Sequence, residues 1–320
     1  MIFNLFASIP VNPKSHVRGW SMHWAECMGT NIASKDTDLS TYGTLYWEHG
    51  VNFGGSLNLF GGVTDEIVDK MEQLVNFKGN LFSLDFPMPN YGEQLEKRIG
   101  QATCSPRLTK SLLDAFKARL NSSQTLLQSQ LDLANLAVGD SHATAFALPG
   151  SKVLRTNGMT LYGALAKGEF IKQIMSCKKM PKRVTLVAGS IDFRHHIGRQ
   201  ANTTKSIEDL CDNYSQIVTF IKDEFGISVE IASPVPVEYE ARRLPQTGYY
   251  KDRPFCGSMA SRREWTNYFI DLIGCDNRIV SPPKEWYSMD GEEYAKQHME
   301  LGSSVHIAPN NYRRFNWGQA

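Results

Sequence analysis

Two residue types that together perform acyl chemistry stand far apart in this chain. Val138-Gly139-Asp140-Ser141-His142 puts a serine directly behind the apolar triplet Leu136-Ala137-Val138, and His306 lies near the C-terminus in Ser304-Val305-His306-Ile307-Ala308-Pro309. A serine hydroxyl is a weak nucleophile until a neighbouring base takes its proton, so hydrolysis needs a serine held at a strand end and a histidine delivered beside it. Glycine before the serine lets the chain leave the strand tightly, and the first turn of a following helix aims a backbone N–H at a developing oxyanion. His306 is the candidate base. Gly-Asp-Ser by itself also suits a turn or a helix N-cap, so the triplet needs company before it carries a function.

Company comes in order along the chain. Gly158 follows in Arg155-Thr156-Asn157-Gly158-Met159, Gly189-Ser190-Ile191-Asp192 ends the next apolar strand, and a histidine closes the set. The order and spacing resemble the four blocks of the SGNH/GDSL hydrolase family over about residues 134–315. That resemblance implies a flavodoxin-like three-layer α/β/α sandwich with a mainly parallel sheet, and hydrolysis of an ester or acyl group. It also implies Ser141 as nucleophile, the N–H groups of Ser141 and Gly158 as the oxyanion hole, and His306 as the base that later protonates the leaving group.

Two positions depart from the family pattern. The third block usually reads Gly-x-Asn-Asp, whose Asn supplies another oxyanion donor, and here that position is Ile191. Losing such a donor costs roughly 2.7–4 kcal/mol of transition-state stabilisation. The closing motif usually reads Asp-x-x-His, and here Ser303 stands three residues before His306. Asp290, Glu293, Glu300 or a backbone carbonyl could orient the imidazole instead. Downstream of Ile191, the run Asp192-Phe193-Arg194-His195-His196 suggests a polar cluster at a strand end, with Arg194 as a charged substitute for the missing donor. Asp192 equally suits a turn cap paired with Arg194. His142, beside the nucleophile, is placed as a residue lining the site. His195-His196 makes a poor metal pair, because adjacent side chains diverge and no third ligand has suitable spacing, so neither metal nor cofactor is expected.

The elements that must position these groups alternate regularly from residue 134 onward. Strands are expected at 136–138, 184–188, 228–232 and 278–280, and helices at 169–177, 207–225, 258–273 and 291–299. Such alternation marks a parallel sheet covered by helices, with sites at the strand C-termini. Residues 1–130 read as a separate α/β accessory domain and 131–320 as the hydrolase-like domain. The first has strand-like runs at 2–7, 43–47 and 80–85, a Gly-rich segment at 52–62, and amphipathic helices at 65–75 and 108–120. Its glycines match neither a P-loop nor a dinucleotide fingerprint; they could let a phosphate or sugar approach the backbone, and tight turns in an aromatic-rich domain explain them as well.

Residues 233–255 combine four prolines with Arg242, Arg243, Lys251, Arg253, Tyr239, Tyr249 and Tyr250. A long irregular segment inside an α/β domain is commonly a lid or binding loop. Cations interleaved with tyrosines suit a sugar, phosphate or base, which makes Arg242, Arg243 and Tyr249 substrate-binding candidates alongside His142, Asp192, Arg194 and His196. A solvated basic surface loop explains the same residues.

The composition sets the outer bounds. At 320 residues the chain can bury a substantial core, and its formal net charge of +1 gives no overall field for nucleic acid, which stays possible as a partner but is not indicated. Its six cysteines are scattered without a Cys-x-x-Cys pair, as in a reduced cytoplasmic protein. Neither a signal segment nor a membrane span is expected. The leading function is therefore an esterase-like hydrolase or deacylase acting on an acylated carbohydrate or similar polar substrate. An acyl or group transferase to a sugar, nucleotide or nucleic-acid acceptor is the alternative, and a non-catalytic binding protein on a degenerate hydrolase scaffold is a third.

Overall fold

The computed structural model describes residues 1–3, 16–34, 36–47, 62–84, 95–235, 251–283, 298–299 and 305–317. The chain divides into two compact units, Met1–Gln130 and Leu131–Ala320.

The first unit is built on a parallel sheet of β1 (Ile2–Phe3), β2 (Thr44–Trp47), β3 (Asn80–Leu84) and β4 (Gln124–Leu126), side by side in chain order. Helix α1 spans His16–Cys27, α2 spans Asp65–Asn76 and α3 spans Lys110–Asn121. Thr64 caps α2 by accepting from the Ile67 N–H, and Asp65 and Glu66 put negative charge in its first turn. Its Ile67, Val68, Met71 and Leu74 face is buried. Thr109 caps α3, so this helix starts two residues later than its apolar pattern suggests, and its Phe116 ring meets Trp47 edge to face at 5.7 Å. Neither α1 nor β4 is legible as an element, since β4 is a three-residue strand exposed at both Gln124 and Thr125. Residues 52–61 of the Gly-rich run and residues 4–7 and 85 of the expected strands lie outside the described residues.

In the second unit the elements run β5 (Asn135–Gly139), α4 (Ala143–Phe146), β6 (Ser151–Arg155), α5 (Leu161–Ala166), α6 (Glu169–Met175) and β7 (Arg183–Val187). They continue with α7 (Ser190–His195), α8 (Thr203–Phe225), β8 (Ser228–Ala232), α9 (Met259–Gly274), β9 (Ile279–Val280) and α10 (Arg313–Asn316). The five strands are all parallel in the order β6-β5-β7-β8-β9. The connection from β5 to β6 runs one way along the sheet, and those from β6 onward run the other. Right-handed crossovers therefore place helices on both faces and give the three-layer α/β/α sandwich.

One face is the main core. Leu136, Val138, Val184, Leu186, Val229 and Ile231 pack with Phe170, Tyr214, Phe269 and other apolar residues of α5, α6, α8 and α9. The alternate positions, Ala137, Thr185 and Glu230, point to the opposite face, because side chains alternate along a strand. Strand β6 is the element that pattern reading misses: Ser151-Lys152-Val153-Leu154-Arg155 carries two cations and sits at the sheet edge. Lys152 is nevertheless buried, its Nζ donating to the Lys179 carbonyl at 2.9 Å. Helices α8 and α9 begin where Asn202 and Ser258 cap them, four residues before and one residue after the starts their apolar pattern suggests.

Candidate active site

Gly139 ends β5 against β7 so closely that a Cβ there would lie 1.8 Å from the Val187 carbonyl oxygen, and only glycine fits. The chain then turns. Asp140 N donates to Val187 O at 2.9 Å, and its Oδ1 accepts the His142 N–H at 2.8 Å, which fixes the turn that presents Ser141 and opens α4.

His306 returns to that turn from 165 residues away, its Nε2 lying 3.0 Å from Ser141 Oγ. This is hydrogen-bonding distance. The His142 ring flanks His306 at 5.1 Å between centroids, tilted by 41°, and is itself buried, so it forms a wall of the site. Gly158 sits after β6 with φ of +75°, in a turn closed by Met159 N donating to Thr156 O at 3.2 Å, while Thr156 N donates to Gly139 O at 2.8 Å. Among the described residues no backbone carbonyl takes the Ser141 or the Gly158 N–H.

The third block has a different part. Ile191 brings no donor, and it opens α7 together with Ser190 rather than ending a strand. Asp192 does not pair with solvent: it is buried, and its two oxygens accept the N–H groups of Leu161 at 2.7 Å and Tyr162 at 3.2 Å. Thr160 accepts the next one, Gly163 N, at 3.0 Å. The backbone donors of the first turn of α5, which starts three residues beyond Gly158, are thus satisfied by Asp192 and Thr160. The expectation that Asp192 caps its own turn is corrected in this respect, because the carboxylate reaches across to another helix.

Burial pushes the Asp192 carboxyl up to about 6, against the pull of the N–H groups it accepts. Burial likewise pushes Asp140 up to about 7, opposed by the His142 N–H and the Arg194 charge and reinforced by Asp192. Arg194 is itself buried, and its field acts on Asp140. Its backbone carbonyl accepts the Cys256 N–H at 2.7 Å. His196 is half-buried, and burial followed by the Arg199 charge holds its ring below the usual imidazole range. His195 turns away from it to meet the Phe255 ring at 5.2 Å.

A cavity of about 750 Å³ opens beside this block, with Thr160, Tyr162, Asp192, His196, Asn213 and Ile217 among its lining residues. His196 lines this cavity, whereas neither Ser141 nor His306 does. Among the described residues no three His, Cys, Asp or Glu side chains converge to hold a metal ion, and no helix is long and apolar enough to cross a membrane. Arg242, Arg243 and Tyr249 lie outside the described residues, as do Asp290, Glu293, Glu300 and Ser303.

Sequence reading passes over one buried ion pair on the far face of the sheet, Glu230 with Arg313. A carboxylate in the middle of the apolar strand Ser-Val-Glu-Ile-Ala is the signal that could have found it.

No protein-family model matches this chain, and no curated protein matches it either. A solved structure from Streptococcus pneumonia, named for a platelet activating factor, is similar at 15% identity with a TM-score of 0.39, covering 57% of this chain and 79% of that one.

Proposed function

We propose that the second unit is a serine hydrolase of the SGNH type, an esterase or deacylase acting on an acylated carbohydrate or a similar small polar substrate. The observation that carries this reading is the 3.0 Å approach of His306 Nε2 to Ser141 Oγ at the C-terminal end of a parallel strand.

The chemistry follows from the placement. The Ser141 hydroxyl donates its proton to His306 as Oγ attacks the acyl carbonyl, and the carbonyl oxygen becomes an oxyanion that accepts from the Ser141 and Gly158 N–H groups. The His306 imidazolium then donates that proton to the departing alcohol oxygen, leaving an acyl ester on Ser141. Water, deprotonated by His306, attacks that ester, and Ser141 recovers its proton as the acid leaves. With Ile191 in the third block, two backbone donors carry the oxyanion, a smaller stabilisation than three would give.

Turnover of p-nitrophenyl acetate tests the reading. Wild-type protein is expected to hydrolyse it, and Ser141→Ala to lower kcat by at least about 1,000-fold at unchanged fold, the scale on which removing a nucleophile acts. Equal turnover by both proteins would overturn it.

A further inference from the structure

Glu230 sits where a carboxylate needs strong compensation. It lies mid-strand in β8, 1% exposed, on the sheet face opposite the main core. Burial alone would favour its neutral form, yet the carboxyl is held below the usual glutamate range by hydrogen bonds from Arg313 and Thr185 and by the charges of Arg313 and Arg278. Thr185, on the adjacent strand β7, donates to Oε1 at 2.6 Å. The Arg313 guanidinium takes both oxygens, NH1 on Oε1 and NH2 on Oε2 at 3.4 Å, while Arg278 Nε stands 3.6 Å from Oε2.

The same guanidinium also reaches the nucleophile's helix. Arg313 NH1 lies 3.4 Å from the carbonyl oxygen of Phe146, the last residue of α4, which starts two residues after Ser141. Seven residues before Arg313 stands His306, and little slack separates them. Ala308 N donates to His298 O at 2.8 Å, Asn311 N to Ala308 O at 2.8 Å, and Trp317 Nε1 to Asn311 O at 2.9 Å. The Trp317 ring meets Phe146 edge to face at 4.9 Å.

We infer that Arg313, seated on Glu230, is a positioning residue that sets the His306 ring against Ser141; the inference rests on the hydrolase reading for its effect on turnover. A buried ion pair contributes little net stability over apolar residues of similar size, because desolvation offsets the attraction. What a planar guanidinium adds is register: its donors fix the angle and distance of the segment that carries it. One side chain thereby ties strand β8, the nucleophile's helix and the base's loop together.

The test uses the full chain with Arg313→Lys and the double variant Arg313→Met with Glu230→Gln, which leaves no unpaired buried charge. Turnover of p-nitrophenyl acetate and the ring ¹H–¹⁵N signals of His306 are read in each. The double variant is expected to fold and to keep KM within about twofold while kcat falls at least about tenfold, as a misplaced base predicts. Arg313→Lys, which keeps the charge but not the fork, is expected to recover only part of that loss. In wild-type protein Ser141→Ala is expected to shift the His306 Nε2 signal, and in the double variant that response is expected to vanish. A folded double variant with wild-type kcat and an intact His306 response would overturn the inference. If wild-type protein shows no Ser141-dependent turnover, the hydrolase reading fails on its own, and the His306 response alone decides the positioning role: its loss in the double variant upholds that role and its persistence refutes it.

Discussion

Ser141 and Asp140 share one turn but face opposite environments: the Asp140 carboxyl is buried and pushed up to about 7, while the serine beside it stands 3.0 Å from an imidazole. A single turn thus holds a hydroxyl within hydrogen-bonding reach of an imidazole and a carboxyl reluctant to lose its proton. The turn follows directly on Gly139, whose close approach to Val187 ends β5, and it is held by Asp140 N on Val187 O and His142 N on Asp140 Oδ1.

Stability should fall as pH rises through the window that Asp140 defines. Its carboxyl ionises at the ordinary 3.8 when unfolded and is pushed up to about 7 when folded, so between those values the folded state holds the extra proton and the slope of stability against pH is negative. Asp192, raised to about 6, adds a slope of the same sign. Asp140→Asn keeps the acceptor for the His142 N–H and should flatten the decline, leaving only the Asp192 share. Urea unfolding at pH 5 and pH 8 checks it; a variant with the wild-type slope would contradict the assignment.

Gly139→Ala should be among the most damaging single changes in the second unit. The new Cβ would overlap a backbone oxygen of the neighbouring strand, which no rotamer can relieve. A loss above about 3 kcal/mol is expected, as for forced backbone strain. A variant that unfolds within about 1 kcal/mol of wild type would show that β5 and β7 are looser than described.

The Asp192 cap of α5 predicts a coupled effect. Asp192→Ala strips the acceptors from the Leu161 and Tyr162 N–H groups, at a cost of roughly 1–3 kcal/mol for an unsatisfied buried donor. Because α5 begins three residues after Gly158, ester turnover should fall with kcat more affected than KM. Steady-state kinetics at matched fold content decides it, and an unchanged kcat would remove Asp192 from the support of the oxyanion hole.

The meeting of Ser141 with His306 at 3.0 Å was legible in the sequence. Ser141 after an apolar triplet, Gly158 and the terminal His306 form an ordered set, and the parallel sheet follows from alternating apolar strands and amphipathic helices. The edge strand β6 was not, because its cations read as loop while Lys152 buries its stem and gives its ammonium to a carbonyl. Nor was the destination of Asp192: its sequence neighbours suggest a local cap, and only folding brings the start of α5, thirty-one residues upstream, to its oxygens. Glu230 and Arg313 escaped for the same reason, since an ion pair separated by 83 residues leaves no spacing to recognise.

Trp317 offers a check on the terminal segment independent of charge. Trp317→Ala removes an edge-to-face pair with Phe146 that contributes about 0.5–1.5 kcal/mol beyond its buried area. A drop of at least that size in unfolding free energy is expected, and no drop would mean that the segment does not pack against α4 in solution.

The dyad itself is tested most directly by labelling with a fluorophosphonate, followed by peptide mass mapping in wild-type protein and in His306→Ala. The account predicts a single adduct on Ser141, forming on the order of 100-fold or more faster with His306 present, the scale of general-base assistance. Labelling that spares Ser141, or that proceeds at the same rate without His306, would contradict it.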